Sequence, residues 1–348
     1  MTRPSNNRWT VLLVMVACAA TLAFARIAAT GQSMTAAGKA FVDTLSDSQR
    51  AQTILPYDSE KRTDWHYIPK PSRKGLQIKE MSAAQRKAAH ALLASALSAV
   101  GYSKATKIME LESVLDALEK NRENRLLRDP ERYYFTLFGD PKDDGRWGLS
   151  VEGHHLSLNF VVDREQVVSS TPTFFGANPG VLRDDYGPGF PKGLRVLADE
   201  EQLAFDLLAA LSDEQRAIAV IAPKAPRDIR DAGKAAPPEA LSAGLAASEM
   251  SESQVDLLRK LIDAYVGNLP ADVAAERLSA IEREGVDGIR FAWAGSDKPD
   301  VGHHYHVQGE TFLIEFNNTQ PDSAGNLANH IHAVWHDRSG NFAIPADE

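Results

Sequence analysis

Eight of the ten histidines fall in three short segments: His154-His155, His303-His304 with His306, and His330, His332 and His336. On an extended strand, side chains two residues apart leave the same face with their Cα atoms roughly 6.5–7 Å apart. Imidazoles placed this way can converge on one ion, because a metal–nitrogen bond spans only about 2.0–2.1 Å. His330-Ile331-His332 and His304-Tyr305-His306 have that spacing, with Ile331 and Ala333 turned to the core. His336 lies four residues past His332, roughly 13 Å along a strand, too far to share its ion. His154 and His155 are adjacent, so on a strand they point to opposite faces and one of them can join a given site. A lone His-x-His pair is more often a hydrogen-bonded polar pair. Three histidine segments, each with an acid nearby (Glu152, Glu315, Asp337), move the reading to a metal site.

The ligand set expected is His154 or His155 with His330 and His332. Glu152, two residues before His154 and on its face, or Glu315 would be fourth ligand or general base. His304 and His306 would bind substrate, with Trp147 and the Phe174–Pro179 segment, Asn178 included, lining its pocket. Imidazole and carboxylate ligands suit a divalent transition metal: zinc, iron or copper. Zinc would favour hydrolysis by activated water, and iron or copper would favour oxidation. Two alternatives remain. One is a non-catalytic exported protein that binds a polar small ligand through its histidines and Asn159, Asn318 and Asn329; the other is a metal-free hydrolase built on Glu152 and Glu315. The sequence contains no His-Glu-x-x-His, Gly-x-Ser-x-Gly, Walker or dinucleotide motif.

The elements that must position these residues alternate by type. Helical patterns cover Ala36–Leu55, Ser82–Val100 (ended by Gly101) and Lys104–Lys120. Arg132–Phe138 and Trp147–Val162 read as strands, and the Gly- and Pro-rich Pro172–Gly193 as a long structured loop. Helices return over Asp199–Leu211, in a short one capped by Ser212, from Ser251 to Gly267 and over Ala271–Glu284. The Ala/Pro-rich Pro223–Met250 between them suits an excursion or lid, and strand patterns run from Gly288 to the end. No internal repeat is read. Helices, strands, helices, strands imply an α+β fold with a mostly antiparallel sheet and helices on one side.

The net charge is −9, and no basic window interleaved with aromatics exists, which argues against nucleic-acid binding. A short basic region precedes the apolar Val11–Ala25, which closes on Ala23-Phe24-Ala25: the layout of a secretory signal peptide. Cleavage there would leave residues 26–80 as an N-terminal extension and 81–348 as a single domain, with no stable membrane insertion. The address would be periplasmic or extracellular. It would also remove Cys18, the sole cysteine, so no thiolate could hold the metal.

The strings Glu152-Gly153-His154-His155-Leu156-Ser157-Leu158-Asn159, Phe175-Gly176-Ala177-Asn178-Pro179 and Asn329-His330-Ile331-His332 resemble the DUF3500 family of uncharacterised exported proteins. Trp147-Gly148, Phe312–Phe316 and Asn318-Thr319-Gln320 agree with it, from about residue 80 onward. His336, where arginine is expected, and the inserted-looking 321–328 depart from the pattern. The resemblance implies one large domain and carries no activity with it.

Overall fold

The structure is a computed structural model that describes residues 30–119 and 127–346; the expected signal peptide lies outside them. Helices are α1 (30–43), α2 (Asp47–Thr53), α3 (Ala83–Ala96), α4 (Ala99–Leu118), α5 (Ala198–Ala210), α6 (Asp213–Ala219), α7 (Glu252–Val266) and α8 (Ala271–Glu284). The first seven strands are β1 (Ile54–Leu55), β2 (Leu76–Gln77), β3 (Tyr134–Phe138), β4 (Arg146–Gly153), β5 (Leu156–Asp163), β6 (Gln166–Ser169) and β7 (Thr173–Ala177). Six more follow: β8 (Val220–Ala222), β9 (Leu245–Ala246), β10 (Arg290–Gly295), β11 (His303–Gln308), β12 (Phe312–Gln320) and β13 (His330–Asp337). Among the described residues no helix is long and apolar enough to cross a membrane.

All thirteen strands join one open sheet in the order β1-β3-β4-β5-β7-β13-β12-β11-β10-β8, with β2, β6 and β9 as side branches. Only β1–β3 and β8–β10 pair in parallel, so the fold is α+β with a mostly antiparallel sheet. Alternation gives the sheet two unlike faces. Phe135, Leu149, Leu158, Phe175, Ala333, Ile314, Tyr305 and Phe291 face the helices and form the main core. The other face carries Ser150, Glu152, Ser157, Asn159, His332, Glu315, Asn317, His304 and His306, all buried. It is covered by irregular chain, residues 56–75 and 223–244, and by the C-terminal Phe342. Trp65, Tyr67, Phe174, Ile229, Val334 and Phe342 form a smaller apolar cluster beneath that cover.

The strand order reads the same from either end about the β7–β13 pair, which overturns the expectation of no repeat. The halves α1-α2-β1-β2-α3-α4-β3-β4-β5 and α5-α6-β8-β9-α7-α8-β10-β11-β12 run through the same elements in the same order. Their joints also match. Leu45-Ser46-Asp47-Ser48-Gln49-Arg50 and Leu211-Ser212-Asp213-Glu214-Gln215-Arg216 both begin a capping box. Gln49 donates to the carbonyl of Glu80, and Gln215 to that of Glu249. Gln85 and Gln254, each in the next capping box, reach back to Thr44 and Ala210. The covers 56–75 and 223–244 are therefore equivalent excursions, each lying between two short strands that pair with one longer strand, β1 and β2 with β3, and β8 and β9 with β10.

Three boundaries differ from the sequence reading. The helix expected over Ala36–Leu55 is two helices and a short strand, broken where Ser46 caps α2. Gly101 does not end a helix; it sits in the first turn of α4, where Ser98 caps its N–H at 3.0 Å. A Cβ there would lie 2.1 Å from the Asn268 carbonyl oxygen, so close approach explains the glycine. Pro172–Gly193 is not all loop: its first part is β7, a central strand between β5 and β13.

Candidate metal centre

His154 and His155 form the two-residue turn between β4 and β5, not part of a strand. Strand parity therefore does not apply, and their rings stack with centroids 3.7 Å apart. His155 adopts φ 61°, the left-handed region that costs a non-glycine residue roughly 1–2 kcal/mol. Its backbone is held from both sides: its N–H donates to the Tyr67 carbonyl at 2.9 Å, and its carbonyl accepts from Gly176 at 2.8 Å. Gly176 in turn pairs with His332 on β13. The order His155, Gly176, His332 spans the width of β7. The imidazoles meet over it because Gly176 has no side chain, and a Cβ there would lie 3.0 Å from the His155 ring.

His330 Nε2 lies 2.7 Å from His155 Nε2 and 3.2 Å from His332 Nε2. The three ligand atoms fall within 4.8 Å of one another, and among the described residues this is the one such group. Nitrogens sharing a tetrahedral ion at about 2.05 Å stand about 3.4 Å apart, so little adjustment would seat one. The far nitrogen fixes the tautomer of His332: its Nδ1 lies 2.7 Å from Asp228 Oδ1. A Nδ1–H donated outward to that carboxylate leaves the His332 Nε2 lone pair facing the other two rings, which is the arrangement a metal-binding histidine adopts. The His330 ring is also hydrogen-bonded to the Pro321 carbonyl.

Electrostatics keep the His155 and His330 rings neutral. Burial, then the neighbouring His154, His330 and His332, holds His155 well below the usual histidine range; burial and His332 do the same for His330. Burial alone would raise the Asp228 carboxyl, but hydrogen bonds from His332, the Ile229 N–H and the Tyr67 hydroxyl bring it below its ordinary value. His155 and His332 are buried and His330 is half-buried, so the triad is reached from the His330 side.

The remaining candidates occupy several places. His154 does not join the triad; its Nδ1 lies 2.5 Å from Glu112 and 3.0 Å from Arg128. Asn178 does reach it, with its amide 3.4 Å from His330 Nδ1. Glu152 is held by Lys74 at 2.7 Å and Arg73 at 3.7 Å, and Glu315 by the side chain and backbone N–H of Arg230. Each carboxylate is thus engaged by a cation rather than by a ring of the triad. Trp147 is on the helix face, in the main core, with its indole N–H donated to Thr35. His304 and His306 share the covered face, and His304 is separated from His332 by Asn317 on β12. Sequence reasoning did not find Asp228 or Tyr67, and it placed Gly176 only within the pocket-lining Phe174–Pro179 segment. Asp228 and Tyr67 sit in the covers, and the repeated capping boxes would have marked those as equivalent excursions.

The covered histidines make a pH prediction. Burial, helped by nearby charges that include Arg230, pushes His304 down to about 3, and burial pushes His306 and His336 down to about 4. Above pH 6.5 these rings are neutral folded or unfolded. Below it the unfolded chain binds protons that the folded chain does not, so stability is lost as pH falls from 6.5 toward 4. The limiting slope is about 1.4 kcal/mol per pH unit for each group. Urea midpoints should be level from pH 7 to 8 and fall steadily from 6.5 to 4.5. A flat profile through pH 5 would contradict the buried, neutral assignment.

No curated protein and no solved structure matches the chain. One family model does, described as "Protein of unknown function (DUF3500)", and it covers residues 28–344. The match takes in both covers, both halves of the sheet and all three histidines of the triad, and the chain belongs to the DUF3500 family.

Proposed function

We propose that this chain is an exported metal-dependent enzyme acting on a small molecule, with His155, His330 and His332 as ligands to a divalent transition metal. The observation that carries the proposal is the convergence of three Nε2 atoms, with the other nitrogen of the His332 ring tied to Asp228. Three imidazoles with one side open make the ligand set of a catalytic centre, whereas structural sites are closed by four protein ligands. Zinc bound there would supply activated water for hydrolysis, and iron or copper would supply oxidation. Asp228 holds the His332 tautomer, Tyr67 holds Asp228, and Asn178 stands beside His330 where a substrate would enter. Glu152 and Glu315, the carboxylates of a metal-free hydrolase, are both ion-paired, which favours the imidazole reading over that one.

The test is elemental analysis of untagged protein beginning at residue 26, beside a His330→Ala/His332→Ala variant. About one equivalent of a transition metal is expected in the parent and none in the variant. A parent that carries no metal and takes up no added Zn²⁺, Fe²⁺ or Cu²⁺ sinks the proposal. The export reading is checked by N-terminal sequencing of the mature protein from its own host, which should read from residue 26.

A further inference from the structure

The first cover holds a second group of chemistry-bearing residues that the triad does not use. A cavity of about 260 Å³ is lined by Lys61, Asp64, Lys70, Ser72, Arg73, Lys74 and Glu152. Four cations face two carboxylates there, in a chain whose net charge is −9. The Arg73 and Lys74 side chains are only 3% and 4% exposed, so this is not a fringe of mobile surface lysines. Arg73 is fixed by donating to the carbonyls of His66, Ile68 and Gly153, and Lys74 by the Asp64 carbonyl and Glu152. Glu152 is thereby neutralised twice over. Asp64 is approached by Lys70 at 3.6 Å, and Lys61 has no ion-pair partner among the described residues.

We propose that this cavity is an anion site for a small molecule bearing a tetrahedral oxyanion, a phosphate or sulfate group. Lys61, Lys70 and the Ser72 hydroxyl would contact the oxyanion, and the buried Arg73 and Lys74 would set the positive potential behind them. Surplus positive charge in a partly desolvated recess is what charge-assisted hydrogen bonds to such a group require. The cavity is smaller than the roughly 300–1,000 Å³ of pockets for drug-sized ligands, which suits an oxyanion on a short skeleton. Glu152 closes its floor, one residue before the Gly153 carbonyl that Arg73 holds and three before His155. The site stands independently of the metal.

The test is calorimetric titration of the mature protein with inorganic phosphate and with sulfate at constant ionic strength, repeated on Lys61→Gln/Lys70→Gln. Both lysines lie outside the core, so the variant should fold, and circular dichroism checks that it does. Saturable binding is expected in the parent, weakened about tenfold in the variant. The single Lys61→Glu variant, at an exposed position, should weaken it at least as much. Binding should survive in His330→Ala/His332→Ala, which separates this site from the triad. Absent saturable binding in the parent, equal binding in the lysine variants, or loss confined to the histidine variant would each overturn the proposal.

Discussion

Replacing His155 with alanine should lower metal affinity by about a hundredfold or more, although this residue sits in a turn and not on the strand that supplies the other two ligands. Apparent binding free energies of about 10–16 kcal/mol spread over four ligands amount to about 3 kcal/mol for each, or two powers of ten. The loss should be specific, because the turn presents the His155 Nε2 to the triad while the His154 ring faces Glu112 and Arg128. Asp228→Asn keeps all three ligands and should cost about ten- to a hundredfold, the usual effect of removing a carboxylate that orients a ligand. Competition with a chromophoric chelator reads both affinities. If His155→Ala binds as tightly as the parent, the triad is not the ligand set.

Arg230→Ala should be the most destabilising single change on the covered face. Glu315 is fully buried; burial raises its carboxyl, and Arg230 opposes that rise. Removing the guanidinium leaves a buried carboxylate without its cation, a loss of about 3–5 kcal/mol. That is a large part of the about 5–15 kcal/mol that holds a typical domain folded. The companion Arg230→Met/Glu315→Leu, with both charges gone, should recover most of it, since apolar replacement of a buried ion pair is often neutral or better. Urea melts at pH 7 of the parent and the two variants give the comparison. A single variant within about 1 kcal/mol of the parent would mean that the second cover contributes little to holding Glu315.

The two predictions meet in the second cover. Residues 223–244 bring Asp228 to His332 and Arg230 to Glu315, and the carbonyls of Pro226 and Arg227 accept from Asn317 and Thr319. The Lys234 carbonyl accepts from the indole N–H of Trp65 in the first cover, so the two excursions also hold each other. A segment poor in pattern is thus a packed part of the site's surroundings. Its polar contacts run to backbone carbonyls and to charges, which leave little periodicity to read.

Much was legible in the residues themselves. His330-Ile331-His332 has the period of a strand, and the alternation does send Ile331 and Ala333 into the core and the histidines to the other face. The α+β class, the antiparallel sheet and the capping serines at 212 and 251 follow from local patterns of apolar spacing and side-chain-to-backbone bonding. These are short-range rules, and a sequence carries them directly.

What only the tertiary structure decided depends on contacts between distant segments. Which of His154 and His155 faces the triad depends on a turn with φ 61°, held by Tyr67 and Gly176, which lie 88 and 21 residues away from it. Asp228 stands 104 residues from His332 and became its partner only because two equivalent excursions fold over one sheet face. Glu152 and Glu315 kept the face that alternation gives them, but their cations arrive from elsewhere in the chain. Alternation along a strand says which side a group leaves, and only the packing of the covers says what meets it there.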